Sequence, residues 1–185
     1  MKRRAPLSPT QSAAFAMGRT LLVFDTWHRQ AGAPLDAERA MLIDFAAQHP
    51  RSIVGLVPSV LQVVRAHGLQ KTDLADLFAQ RHFGSMREGF FAMVADLVSR
   101  DLLAEISADK ADLFFVPTAS GLAAAARFSS PLAIGLRALC SALCDEWRRK
   151  NPRDLANDIR KTLPDESRMA ASLGEPFAPW LSEVD

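Results

Sequence analysis

The sequence predicts a mainly helical chain: a winged helix-turn-helix core with a small β-hairpin wing and flanking N- and C-terminal helices. Three observations predict it. Apolar residues recur at helical spacing over most of the chain. One short stretch breaks that period, with Leu102, Leu103 and Ile106 on one side of a polar turn, Ser107-Ala108-Asp109-Lys110, and Leu113, Phe114, Phe115 and Val116 on the other, as a hairpin requires. A striped helix precedes this hairpin and a capped helix follows it, which is the winged helix-turn-helix order.

The elements follow in sequence. Ser12 to Gln30 carries Phe15, Met17, Leu21, Leu22, Phe24 and Trp27 on a helical face and stops at Gly32-Ala33-Pro34. Asp36 has N-cap chemistry for a second helix, in which Met41, Leu42, Phe45 and Ala46 recur until His49-Pro50 ends it. From Ile53 a turn containing Gly55 and Pro58 leads to a helix from Ser59, closed by Gly68. Thr72 caps a short helix through Phe78. Ser85 and Glu88 have capping-box spacing for the next helix, whose stripe is Met86, Phe90, Met93, Val94, Leu97 and Val98. After the hairpin, Thr118 caps the helix Ala119 to Phe128, whose alanines allow close packing.

Ser130-Pro131 opens a further helix with a capping hydroxyl and proline in the first turn. There Leu132, Leu136, Leu139, Leu143 and Trp147 alternate spacings of three and four, a narrow seam of coiled-coil type. Arg148-Arg149-Lys150 suits a helix C-terminus. The organisation expected is a leader over residues 1–11, one domain over 12–150 and a polar, partly disordered tail over 151–185 with Leu155, Ile159, Leu163, Phe177 and Trp180 as apolar anchors.

At 185 residues and 49% apolar composition the chain can bury one core. A net charge of +1 gives no single-sign field for steering onto nucleic acid or membrane. No uncharged run approaches the ~18 apolar residues of a membrane span. Two cysteines, Cys140 and Cys144, on one helix cannot form a disulfide framework, so a cytoplasmic location is expected.

No set of residues has catalytic or metal-ligating form. His28, His49, His67 and His82 lie on different elements and read as surface or helix-end residues. Cys140 and Cys144 read as packing residues beside the leucine seam. Acidic pairs such as Asp73 and Asp76, or Asp145 and Glu146, sit at helix ends where the dipole explains them. Neither a phosphate-binding glycine loop nor a nucleophile elbow occurs. A non-enzyme without cofactor or metal is expected.

Nucleic-acid binding is the function a winged helix invites, but the outward face before the hairpin offers Arg87, Glu88, Asp96, Ser99 and Arg100, and the wing offers Asp109, Lys110 and Asp112. Those charges cancel, whereas a strong duplex binder neutralises ~6–10 phosphates. Basic clusters lie instead at Lys2-Arg3-Arg4 and at Arg148, Arg149 and Lys150, where a weak DNA contact is conceivable. Phe91 falls off the apolar stripe, which suggests an exposed aromatic for a protein partner. The seam Leu132, Leu136, Leu139, Leu143 and Trp147 fits either one partner helix or the chain's own core.

Leu35-Asp36-Ala37-Glu38 with Leu42-Ile43-Asp44-Phe45 and His49-Pro50, then Phe90 to Leu103 and Phe114 to Trp147, resemble the middle component of ABC three-component systems. The resemblance covers about Leu21 to Trp147. It implies a non-enzymatic winged-helix adaptor that works with an SMC- or Rad50-like ABC ATPase and an effector, often a nuclease, in defence against phage and plasmids of the Lamassu type. The adaptor would dock on the ATPase and hold the effector in check, with Arg87, Phe91 and the Leu132 to Trp147 helix as docking surfaces and DNA met only through the complex. The rival expectation is a homodimeric transcriptional regulator of MarR or PadR type, dimerising through its first and last helices.

Overall fold

The computed structural model describes residues 13–69, 79–109 and 112–163. Within them the chain is mainly helical, with eight helices and one three-stranded antiparallel sheet. Helix α1 (Ala13–Ala31) leads into the two-residue strand β1 (Leu35–Asp36), and α2 (Ala37–Gln48), the single turn α3 (Pro50–Ile53) and α4 (Pro58–Ala66) follow. Next come α5 (Ala79–Ser99), β2 (Leu103–Asp109), β3 (Asp112–Pro117), α6 (Ala119–Ala126), α7 (Pro131–Trp147) and α8 (Pro152–Thr162).

Local chemistry sets most of these boundaries. The Asp36 carboxylate accepts from the Arg39 backbone N–H at 2.7 Å, Thr118 from Gly121 at 3.0 Å and Ser130 from Ala133 at 3.2 Å, each relieving an otherwise unpaired donor in the first turn. Helix α4 closes on Gly68 at φ +63°, with Leu69 N–H donating to the Val64 carbonyl. The same geometry closes α5, but on Asp101, whose φ of +57° lies in the region glycine usually occupies.

Helix α2 is the centre. Its residues from Ala40 to Ala47 are all buried, as expected of a helix covered on every side, and α1, α5, α7 and α8 pack around it. Helix α7 lies along α1, and α4 packs on α7. The hairpin pairs Leu103 with Pro117 and Ile106 with Phe114, and β1 adds to its other edge through Leu35 opposite Phe115, giving the order β1-β3-β2. Phe115 lies edge-on to Phe24 of α1 at 6.1 Å, which seats the sheet on the helices. Helix α6 approaches so closely that a Cβ at Gly121 would fall 2.0 Å from the Leu102 carbonyl oxygen, so only glycine fits there.

Three expectations change. The pair Ser85 and Glu88 is no capping box: α5 begins at Ala79 and runs through both, so the apolar stripe continues one and a half turns earlier through Phe83. Asp36 caps α2 as expected, but with Leu35 it also forms a strand. The domain does not end at residue 150, because Asn151 caps α8 through Arg153 N–H and α8 buries Leu155 and Ile159 against the core. A helix from Thr72 to Phe78, the leader over 1–11 and the tail beyond 163 lie outside the described residues. No described helix is long and apolar enough to cross a membrane.

Candidate functional site

Two faces of α5 differ in what they offer. Its inner face buries Phe90, Val94 and Leu97, as the stripe predicts. Its outward face is Ser85, Glu88, Ala92, Ala95 and Ser99, all exposed and spaced three or four apart, with Gly84 and Gly89 beside it in open space. The two described cations on this helix and at its end are both engaged. Arg87 Nη1 donates to Glu38 of α2 at 3.3 Å, and Arg100 Nε donates to Asp96 at 2.9 Å. The outward face is therefore narrow, small-residued and free of unpaired positive charge among the described residues.

A groove adjoins it where α2, α5 and α8 meet, with a volume of about 390 Å³. Its floor is Met41 and Leu42 of α2, Phe83 and Met86 of α5 and Ala156 of α8. Its rim carries Arg87, Arg153 and Arg160 against one acid, Glu38. The Arg160 guanidinium stands 5.7 Å over the Phe83 ring and that of Arg87 5.3 Å over Phe91, positions favoured by the ring quadrupole.

A second hollow of about 190 Å³ continues from the first past Met41 and Met86. It ends on a buried polar cluster. Arg19 Nε and Nη2 donate to the two oxygens of Asp44 at 3.0 and 2.9 Å, and the Thr20 hydroxyl donates to Asp44 at 2.9 Å. Arg19 and Asp44 are only 5% and 6% exposed at their side chains, so the pair is shielded from water. Beside it the His49 and His82 rings meet at 2.8 Å, Nε2 to Nδ1. Burial holds His82 below the ordinary histidine pKa, helped by His49 and Arg19 and opposed by Asp44.

The expected site residues divide sharply. Arg87 is exposed, lies on the groove rim and is ion-paired with Glu38. Phe91 corrects its expectation: it is half-buried, packed on the core and edge-on to Phe90 at 5.8 Å, so it is no exposed anchor. Four of the five seam residues are core. Leu136 is 6% exposed and Leu139, Leu143 and Trp147 are fully buried, leaving only Leu132 at the surface. The seam is filled by α1 and its neighbours within the chain's own core. Arg148 and Arg149 are exposed and Lys150 half-exposed. Arg148 is partly used inside the chain, donating to the Gln30 carbonyl at 3.4 Å.

Sequence reasoning missed the buried charges, the histidine pair and the arginines of α8. His49 stands at a helix end, between α2 and α3, but it is fully buried and meets His82 of α5. Arg19 and Asp44 both stand inside apolar runs, a signal that each needs a buried partner. Cys140 and Cys144 are buried free thiols; burial raises both, Cys144 to about 12, as packing residues require. Among the described residues no group of three or more histidine, cysteine, aspartate or glutamate side chains could hold a metal ion. Ser85 and His82 line one hollow, but the Ser85 hydroxyl donates to the His82 carbonyl and the His82 Nδ1 faces His49. That is not the geometry of a nucleophile and its base.

Comparison of the chain with protein-family models, with curated proteins and with solved structures gives no match.

Proposed function

We propose that this chain is a non-catalytic adaptor on a winged-helix scaffold, which docks a protein partner through the outward face of α5. The element order supports the scaffold: β1 lies between α1 and α2, a long helix precedes the hairpin, and the sheet order is β1-β3-β2. In that scaffold α5 stands where a recognition helix stands. The observation that carries the function is the composition of its exposed face. A duplex reader presents arginine, lysine, asparagine or glutamine to bases and free cations to phosphates. Here the face is Ser85, Glu88, Ala92, Ala95 and Ser99, and Arg87 and Arg100 are already ion-paired. The small side chains of Ala92, Ala95 and Ser99 instead let a second helix approach this part of α5 closely.

The resemblance noted above makes an SMC-like ABC ATPase the first partner to test, with an effector such as a nuclease held in the same assembly. The tagged chain, co-expressed with the products of its neighbouring open reading frames, is expected to elute with a coiled-coil ATPase. Ala92→Arg and Ala95→Arg place a long side chain on an open face, so each is expected to leave the melting temperature unchanged and to abolish co-elution. Full co-elution of both variants defeats this reading. A lone dimer that binds its promoter duplex, with affinity falling steeply in salt and lost on Arg87→Glu, replaces it with the transcriptional regulator.

A further inference from the structure

We propose that the groove between α2, α5 and α8 is the docking site of the chain's own segment 164–185, seated through Phe177 and Trp180. The inference is independent of the partner reading, which concerns a different face of α5. Its first support is charge. The groove rim sets Arg87, Arg153 and Arg160 against Glu38, whereas segment 164–185 contains Asp165, Glu166, Glu175, Glu183 and Asp185 against Arg168 alone. The N-termini of α2 and α8 lie at one end of the groove, by Glu38 and Pro152, and add their partial positive charge there.

The second support is the pairing of apolar surface. Phe83 is only 9% exposed but lines the groove with Met41, Met86 and Ala156. A volume of about 390 Å³ falls within the range, about 300–1,000 Å³, that encloses ligands of a few rings. Arg153 and Arg160 are seven residues apart on α8, hence about 10 Å apart along its axis. Phe177 and Trp180, three residues apart in an extended chain, also span about 10 Å. The flanking Pro176 and Pro179 favour that extended form and lower the entropy lost on docking. Glu175 and Glu183 bracket the aromatic pair as the arginines bracket the floor.

The third support is where the segment starts. Leu163 is buried at the end of α8, one turn beyond Arg160, so the chain departs from the core at the groove's own wall. Phe177 lies fourteen positions beyond Leu163, a flexible reach of about 20 Å, whereas the return along α8 to Arg153 is about 15 Å. At that linker length the effective concentration is of millimolar order, so even a weak contact is occupied.

Trp180 reports the contact in the intact chain. Trp27 and Trp147 are 7% and 0% exposed, so acrylamide quenching of tryptophan emission isolates Trp180. With the segment docked, quenching is low and emission stays blue. The double variant Arg153→Glu/Arg160→Glu, both exposed positions, is expected to raise the quenching constant severalfold, and 1 M NaCl to raise it part of the way. Phe177→Asp, which alters none of the groove's lining residues, is expected to do the same, so the proposal stays testable if the arginine variant fails to fold. Free quenching of Trp180 in the unaltered chain overturns the proposal, as does protection that both variants leave intact. Protection that appears only as concentration rises, with a doubled mass by light scattering, also overturns it in favour of exchange between two copies.

Discussion

Helix α2 sends two carboxylates to two arginines on neighbouring helices, and the outcomes are opposite. On the α1 side Asp44 accepts two hydrogen bonds from Arg19 and a third from Thr20, with both side chains nearly closed to water. On the α5 side Glu38 accepts one bond from Arg87 at 3.3 Å, and the side chains are 57% and 64% exposed. The first pair sits in a seam that closes; the second sits on a groove that does not. Identical charges therefore serve to fix one helix pair and to leave another open, and burial rather than residue type decides which.

Breaking the buried pair tests that contrast most severely. Asp44→Ala leaves Arg19 desolvated without a partner and is expected to lower unfolding stability by about 3–5 kcal/mol, read from the urea midpoint at constant slope. Replacing both groups, as Arg19→Met/Asp44→Leu, is expected to recover most of the loss, because the desolvation cost leaves with the charges. A loss below 1 kcal/mol for the single variant contradicts the burial on which the contrast stands.

The closed side is also held by the α7 seam. Leu139 is fully buried between helices, so Leu139→Ala removes its packing and leaves a cavity, at a cost of about 2–5 kcal/mol. Leu132, on the same seam but exposed, is expected to tolerate alanine with a change within about 0.5 kcal/mol. Equal losses at both positions would show that the seam is covered along its whole length.

Between the two regions lies the His49 and His82 contact, and it gives the comparison a pH axis. His82 is held below its ordinary value of 6.5 in the folded chain, first by burial and then by His49 and Arg19. Below pH 6.5 the unfolded chain binds a proton that the folded chain resists. Stability is therefore complete above about 6.5 and falls as pH drops through that value towards the lower folded pKa. Urea midpoints at pH 7.5 and 5.5 are expected to differ, and His82→Gln to shrink the difference; a midpoint equal at both pH values in the unaltered chain removes the histidine pair from the account.

How much of this was legible follows from the range of each signal. Caps at Asp36, Thr118 and Ser130 are written within four residues, and the hairpin within sixteen, so the sequence displays them. Strand β1 is two residues long and exists only because Phe115 lies opposite Leu35, eighty positions away. The α5 start is hidden because Ser85 and Glu88 have cap spacing, while six earlier residues already pack Ala79 and Phe83 into the core. Helix α8 resembles a polar tail in sequence because it carries only two fully buried apolar residues, and those matter once α2 and α3 are opposite them. The same absence of long-range information hid the groove: Arg87 was visible, but Arg153 and Arg160 join it only through the fold.

The smallest expected effect is the most diagnostic of the open side. Glu38→Gln removes the charge that engages Arg87 but keeps the length of the side chain. An exposed pair of this kind contributes about 0–1 kcal/mol, because water and salt already screen both charges and ordering two long side chains costs entropy. The urea midpoint is therefore expected to shift by no more than that, against the several kcal/mol lost at Asp44. The groove should respond differently from the fold. With its one rim acid neutralised, Arg87, Arg153 and Arg160 stand unopposed, so retention of an acidic aromatic segment should strengthen and Trp180 quenching should fall below that of the unaltered chain. A variant that loses stability as Asp44→Ala does would place Glu38 with the closed side of α2 and end the distinction between its two carboxylates.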